Sequence, residues 1–119
     1  MCPLEYGLEI FGGKWNARIN CVLSSKKFMR YNELKKILKN ITDAVLAEML
    51  KELAENEIIN RIKYNKIPPR VEYSLTKIGK SVLPILESIC KWSREHSKED
   101  LEKYRKENNI LYIVFYFIY

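Results

Sequence analysis

The chain has 119 residues, of which 47% are hydrophobic and 30% are charged, and its formal net charge is +6. This length fits one domain with one modest core, and the apolar share excludes an intrinsically disordered chain. The first residues show no apolar run behind a basic flank, so we expect no signal peptide and a cytoplasmic protein in a reducing compartment.

The positive charge is concentrated in two blocks on either side of an acidic middle. Residues 14–39 hold eight Lys and Arg against Glu33 alone, and residues 61–70 hold four with no acid. Residues 40–60 hold Lys51 against five acids. Two basic blocks favour a surface that binds a polyanion, although a solvated lysine-rich surface gives the same charge pattern.

The first part of the chain is predicted to be helical. Residues 3–11 suit a short helix that Gly12 and Gly13 end, and residues 14–23 suit a second helix. Residues 31–38 then predict a third short helix, because their apolar side chains recur at helical spacing.

The clearest amphipathic helix follows Thr42, whose hydroxyl is expected to cap the helix by accepting from an amide of its first turn. The helix is predicted to end near Asn56, a residue that can adopt the left-handed cap conformation. Its apolar stripe faces inward and a second set of side chains faces outward. The inward set is Val45, Leu46, Met49, Leu50 and Leu53, and the outward set is Asp43, Ala44, Ala47, Glu48 and Lys51.

A change of period then predicts two strands, over residues 58–64 and 71–75. The loop between them contains Pro68 and Pro69, which stiffen it and exclude one continuous strand. Thr76 is expected to cap a further helical stretch through about residue 97, in which Pro84 marks a kink or a restart. The apolar side of this stretch is Leu83, Leu86, Ile89, Cys90 and Trp92.

This order of elements predicts a mainly α fold with a small β-hairpin, the winged helix-turn-helix. A helix has the right width for the major groove of B-DNA, and the helix before it braces it against the DNA backbone. The basic hairpin, or wing, can then reach an adjacent groove or the phosphates.

Short motifs along residues 2–97 agree with this interpretation. They are Cys2-Pro3, Gly12-Gly13-Lys14-Trp15, Arg30-Tyr31-Asn32-Glu33-Leu34, Ile41-Thr42 with Leu46, Leu50 and Leu53, Pro68-Pro69-Arg70-Val71-Glu72-Tyr73-Ser74-Leu75-Thr76 with Gly79, and Trp92. In these motifs the chain resembles the HxlR-type regulators, a bacterial and archaeal branch near the MarR group. The resemblance implies a homodimer formed by the terminal helices, a roughly palindromic operator and, as the commoner mode, repression of transcription.

The resemblance assigns residues 42–56 as the recognition helix. Candidate DNA contacts come from the brace helix, the recognition helix and the wing: Arg30, Asn32, Lys35, Lys36, Thr42, Asp43, Ala44, Ala47, Glu48, Lys51, Arg61, Lys63, Lys66 and Arg70.

The outward face of this recognition helix departs from the family pattern, in which Gln, Lys or Thr is usual at several positions. Ala44 and Ala47 offer only apolar contact, for example to a thymine methyl, whereas Glu48 can accept from a cytosine amino group and would repel phosphate. We therefore expect sparse reading of bases. Most of the affinity is expected from the basic residues Arg30, Lys35, Lys36, Arg61, Lys63, Lys66 and Arg70, whereas Lys26 and Lys27 are either solvated loop residues or further contacts.

The three cysteines fall into two classes. Cys2 begins the first predicted helix, where the amide dipoles favour a thiolate. In relatives of this type a cysteine at this position can sense oxidants or electrophiles by forming disulfides, so the resemblance makes Cys2 a candidate redox sensor for a small oxidant or electrophile effector. Cys21 and Cys90 lie on apolar faces and are expected to be packing residues. The cysteine spacing and the single histidine, His96, argue against a metal site, and no cofactor is expected.

Residues 1–97 are expected to form the winged-helix domain, and residues 98–119 a C-terminal extension. The extension starts as a mixed-charge helical pattern and ends with an apolar run at 110–119. Ten apolar residues are too few to span a bilayer as a helix, so we expect the tail to pack on the dimer and expect no membrane partner.

Two other function classes were weighed. An enzyme needs converging groups such as a nucleophile beside a base, and since the sequence offers none, we expect no enzymatic activity. The alternative to a regulator is a winged-helix protein-interaction module without specific DNA binding, which the acidic, alanine-rich recognition helix supports. Trp15 and Trp92 either pack near the dimer interface or stack on a ligand.

Overall fold

A computed structural model describes residues 2–97, in which six helices surround the base of a β-hairpin. The elements in chain order are α1 (Pro3–Phe11), α2 (Asn16–Leu23), α3 (Tyr31–Ile37), α4 (Asp43–Glu55), β1 (Ile59–Tyr64), β2 (Arg70–Leu75), α5 (Lys77–Ser81) and α6 (Leu83–His96). This order confirms the mainly helical winged helix-turn-helix. The extension predicted for residues 98–119 lies outside the described residues.

The short turn between α3 and α4 depends on two residues with positive φ. Lys39 has φ 25° and Asn40 has φ 64°, and Asn is one of the residue types that tolerates this conformation best. After the turn, the Thr42 hydroxyl accepts from the Val45 amide at 3.2 Å. The predicted N-cap of α4 is therefore confirmed.

The end of α4 differs from the prediction in one residue. Asn56 has φ −86°, and the left-handed residue is Glu57, with φ 59°. The amide of Ile58 donates to the carbonyl of Leu53 at 2.9 Å and the amide of Glu57 to that of Ala54 at 3.1 Å, which is the Schellman arrangement with Glu57 at C′. Asn56 stays right-handed and its side-chain amide donates to the carbonyl of Glu52 at 2.9 Å.

The hairpin is antiparallel, with Ile59 opposite Leu75 at its base and Tyr64 opposite Arg70 near its tip. A third strand segment joins β2 on its other side, because Met29 and Tyr73 exchange two backbone hydrogen bonds of 2.8 Å each. β2 is therefore central, and the loop before α3 is tied to the wing.

The helical stretch predicted after Thr76 is two helices. Thr76 caps α5 by accepting from the Gly79 amide at 3.0 Å, and Val82 both ends α5 and begins α6. Pro84 lies in the first turn of α6, where its missing amide costs no helical hydrogen bond. Of the two alternatives at Pro84, the restart is the one observed.

The core lies where α2, α3 and α4 meet the base of the hairpin and α6. Its fully buried side chains include Ile19, Leu23, Met29, Leu34, Leu38, Leu46 and Leu53. Trp15 is partly buried against this core.

One part of the predicted apolar side of α6 is not in the core. Leu83 and Leu86 are buried and Cys90 is half-buried, but Ile89 and Trp92 are 56% and 63% exposed. Only one side of α6 packs on α2. The prediction from helical spacing grouped Ile89 and Trp92 with the buried residues, but the structure leaves both outside the core. In residues 2–97, no helix is both long enough and apolar enough to cross a membrane.

Candidate DNA-binding surface

The outward face of α4 has the residues that its spacing predicts. Asp43, Ala44, Ala47, Glu48 and Lys51 are all exposed. Leu46, Leu50 and Leu53 are at most 2% exposed and hold the opposite face in the core. The structure therefore presents the outward face on a helix that is capped at both ends and firmly packed.

The charged residues of this face differ in their contacts. The Asp43 carboxylate accepts from the Lys35 ammonium at 2.7 Å and from the Tyr31 hydroxyl at 2.8 Å. These two contacts, that of Lys35 first, hold the pKa of the Asp43 carboxyl below its usual value. Lys51 lies 4.0 Å from Glu55, whereas Glu48 has no ion-pair partner among residues 2–97.

The brace helix α3 adds exposed polar and basic side chains at Arg30, Asn32 and Lys36. Glu33 secures the start of this helix, since its carboxylate accepts from the Arg30 amide and from the Lys26 ammonium, both at 3.2 Å. These contacts hold the pKa of the Glu33 carboxyl below its usual value. Lys26 is thus ion-paired within the chain, which favours its role as a loop residue over the alternative of a further DNA contact.

The wing presents Arg61, Lys63 and Lys66 as exposed cations. Arg61 and Lys63 lie opposite Tyr73 and Val71 in the hairpin register and share their face of the sheet. Arg61 also lines a shallow groove between β1 and α4, together with Tyr31, Lys51 and Glu55. The structure therefore brings the wing cations and the outward face of α4 onto adjoining surfaces.

Arg70 is placed differently from the other wing cations. Its guanidinium lies 2.6 Å from the buried Glu72 carboxylate, and 5.6 and 5.9 Å from the ring centroids of Phe28 and Tyr64. The contact with Phe28 ties the wing to the loop before α3. Sequence reasoning missed this anchor and the Tyr31 contact. The available signals were the i, i+2 spacing of Arg70 and Glu72 on one strand face and the i, i+4 spacing of Tyr31 and Lys35 on α3.

The cysteines differ in exposure as the sequence predicts. Cys2 is exposed at the N-cap of α1, Cys21 is buried in α2 and Cys90 is half-buried in α6. Burial raises the pKa of the Cys21 and Cys90 thiols, and the pKa of Cys21 lies well above its ordinary value. Among residues 2–97, no three potential metal ligands cluster.

The terminal helices expose large apolar side chains at regular helical spacing. Leu4 and Leu8 on α1 are 68% and 57% exposed, and Ile85, Ile89 and Trp92 on α6 are each more than half exposed. The Trp92 ring stacks on His96 with centroids 4.9 Å apart. Neither stripe has a partner within the described part of this chain.

Comparison with known proteins agrees with this architecture. The sequence model of the HxlR-like helix-turn-helix family matches residues 10–101. The HTH-type transcriptional regulator YtcD of Bacillus subtilis (strain 168) is 44% identical over 93 residues, which are 78% of this chain and 73% of YtcD.

Two similar solved structures are of regulators in a defined redox state. The redox regulator HypR in its oxidized form superposes with a TM-score of 0.74 at 34% identity, over 82% of this chain and 100% of that one. The reduced form of the transcriptional regulator YodB from B. subtilis superposes with a TM-score of 0.75 at 31% identity, over 84% of this chain and 99% of that one. On the family match and these relatives together, the chain belongs to the HxlR-like helix-turn-helix family of transcriptional regulators.

Proposed function

We propose that this protein is a cytoplasmic repressor that binds double-stranded DNA as a homodimer on a palindromic operator. The observation that carries the proposal is that Arg61 of the wing lines one groove with Ala47 and Lys51 of the outward face of α4. Lys63 and Lys66 are exposed further along the wing. A capped helix supplies the element that fits a major groove, and the cations supply the contacts to the phosphates.

The first test is a gel shift with promoter fragments from the gene itself and its neighbours, against unrelated competitor DNA. A repressor of this kind stays bound to one promoter fragment when unrelated competitor DNA is in excess. With about six phosphate contacts per protomer, the logarithm of the binding constant falls against the logarithm of salt concentration with a slope near −5 for each protomer in contact with DNA. A nearly flat salt profile contradicts the proposal.

A protein-interaction module is the second candidate, because the outward face of α4 carries two alanines and an acid without an ion-pair partner in residues 2–97. It predicts no preference for any promoter fragment over competitor. The same gel shift therefore separates the two functions.

The dimer is proposed from the apolar stripes of α1 and α6. Large apolar side chains on two terminal helices form the kind of surface that a partner covers. Ile89→Lys places a charge in the α6 stripe and is expected to shift the protein to a monomer in sedimentation. Ile78→Lys changes an exposed isoleucine of α5 and should leave the dimer intact. Dimers of equal strength in both variants would move the interface elsewhere.

The apolar run at 110–119 is proposed to extend this interface. A chain that ends at Asn109 should dimerise more weakly than the full chain, as measured by the dilution at which the dimer dissociates. Equal dissociation constants would assign the run another role.

Cys2 is proposed as the sensor of an oxidant or electrophile. Its thiol is exposed at the start of α1, which carries one of the proposed interface stripes. With diamide as the oxidant, the Cys2 thiols of two protomers lose two protons and two electrons to form a disulfide, and diamide is reduced to its hydrazine. Diamide should release DNA from the wild type and not from Cys2→Ser. Equal release from both excludes the sensor, with Cys90→Ser as the matched thiol control.

A further inference from the structure

Asp43 makes the shortest link between the two helices of the helix-turn-helix. It is the first residue of α4, and one of its carboxylate oxygens receives both the Lys35 ammonium at 2.7 Å and the Tyr31 hydroxyl at 2.8 Å. Tyr31 and Lys35 are four residues apart on α3 and therefore share a face of that helix. The Tyr31 hydroxyl also lies 3.2 Å from the Asp43 carbonyl. The first turn of α4 is thus tied to one face of α3 by the Lys35 ion pair and by the single hydroxyl proton of Tyr31.

The next residue along α3 shows what this link does to Lys35. Lys36 is exposed and has no ion-pair partner among residues 2–97, whereas Lys35 is half-buried and paired. Two adjacent lysines of the brace helix therefore present different charges: Lys36 adds a full positive charge to the surface, and Lys35 together with Asp43 adds none.

The position of Asp43 opposes a movement of the Lys35 ammonium from the Asp43 carboxylate to a DNA phosphate. Asp43 lies at the start of the exposed face of α4, so a phosphate that Lys35 reached would stand near the carboxylate that Lys35 had just left. Two negative groups at that distance repel each other, and Tyr31 alone would remain on the carboxylate.

We propose that Asp43 is a positioning residue of the helix-turn-helix, which fixes the start of α4 on α3 and withholds Lys35 from the DNA backbone. The proposal rests on the DNA-binding function proposed above and changes two of its assignments. Asp43 does not read a base, and Lys35 is not one of the phosphate contacts of the wild-type protein.

The decisive variant is Asp43→Asn, which keeps an oxygen to accept from Tyr31 and removes the charge that holds Lys35. Lys35 then becomes available to a phosphate. The salt dependence of DNA binding should steepen by about 0.9 for each protomer in contact with DNA, and binding to unrelated competitor DNA should tighten at low salt. An unchanged or shallower salt slope overturns the proposal.

Lys35→Gln completes a double-mutant cycle. In the wild-type background it should leave the salt slope unchanged, and in the Asp43→Asn background it should remove the added 0.9. A loss of about 0.9 from Lys35→Gln in the wild-type background overturns the proposal, because Lys35 would then already contact a phosphate. Tyr31→Phe removes a hydrogen bond without changing charge, so it should lower thermal stability and leave the slope unchanged.

The link can also be measured without DNA, which separates its failure from that of the proposed function. The low pKa of the Asp43 carboxyl should rise in Lys35→Gln when the carboxylate is followed by NMR through an acid titration. Unchanged titration in that variant overturns the link even if the wild type binds its operator. If the wild type binds no DNA but the pKa of Asp43 still rises in Lys35→Gln, the proposed function is contradicted and the link between Asp43 and Lys35 is supported.

Discussion

The outward face of α4 and the β1–β2 wing adjoin on one surface, yet they expose different chemistry. The α4 face offers two alanines, a carboxylate already bound by Lys35, the acid Glu48, and Lys51, which lies 4.0 Å from Glu55. The wing exposes Arg61, Lys63 and Lys66, and its loop contains no acid. In the proposed function, the difference assigns affinity and base reading to separate elements: the wing cations would bind any phosphate backbone, and the face of α4 would read few bases.

The two regions also differ in how they are held. α4 is anchored by fully buried leucines and capped at both ends. The wing projects from the core, and its outer part is held by the Arg70–Glu72 pair and the rings of Phe28 and Tyr64. A well-packed helix beside a projecting basic hairpin agrees with the proposed function, in which phosphate contacts position the protein and base contacts specify the sequence.

The largest effect is expected where α5 supports the base of the wing. A Cβ on Gly79 would lie 2.2 Å from the carbonyl oxygen of Ile58, which precedes β1. Gly79→Ala must therefore displace backbone, and it should lower the free energy of unfolding by about 3 kcal/mol in urea denaturation. Gly13→Ala adds a methyl group where nothing lies within 4 Å, so its stability should stay near that of the wild type. Equal stabilities of the two variants would contradict this prediction, because they would show that the backbone at Ile58 can move without lowering the free energy of unfolding.

The second largest effect is expected when the exposed cations of the wing are removed. Replacement of Arg61, Lys63 and Lys66 together by Gln should weaken binding to all DNA sequences alike, by roughly two orders of magnitude or more at 0.1 M salt. The salt slope should become shallower by about 2.7 for each protomer in contact with DNA, since each lost phosphate contact accounts for about 0.9. Titration with operator and competitor DNA at several salt concentrations measures both. A loss confined to the operator would assign base reading to the wing.

The third effect tests the outward face of α4. Here binding to competitor DNA is expected to become tighter, whereas removal of the wing cations weakens it. Glu48→Gln removes an acid that repels phosphate and that can accept from a cytosine amino group. Competitor DNA should bind more tightly, and the preference for the operator should fall about tenfold, within the range of one base contact. Lys51→Gln, one turn further on, serves as the control for a charge change on the same face. An operator preference that survives Glu48→Gln would mean that the helix reads no base through this residue.

The smallest effect concerns the cap that sets the start of α4. Thr42→Ala removes the oxygen that accepts from the Val45 amide and should lower the free energy of unfolding by about 1 kcal/mol. Thr42→Ser keeps the oxygen and should recover most of that loss. If serine were no better than alanine, the hydroxyl would contribute through something other than the cap.

The parts of the fold that depend on neighbouring residues were predictable from the sequence. The Thr42 cap and the glycine pair after α1 both act within a few residues, so periodicity and residue type are enough to place them. The five outward residues of α4 followed from the same reasoning, because a strong apolar stripe leaves the opposite face exposed.

The assignment of individual charges was less predictable. Basic composition indicated a cationic surface, but it treated Lys35, Lys36, Arg61 and Arg70 alike. In the structure, Lys35 and Arg70 are bound by carboxylates of the same chain, and Lys36 and Arg61 stay exposed. Asp43 is eight residues from Lys35 and twelve from Tyr31, and no local pattern indicates that a tight turn with positive φ at Asn40 brings them together.

The sequence alone determined the order of elements up to Thr76, the N-caps at Thr42 and Thr76 and the face that α4 turns to the core, since these follow from local hydrogen bonding and the spacing of apolar side chains. The tertiary structure decided which charges remain exposed and which apolar side chains of α6 stay outside the core. The physical reason is that periodicity specifies a face of a helix, whereas only packing specifies what lies against it. Ile89 and Leu86 are three residues apart on one helix, but only Leu86 reaches the core.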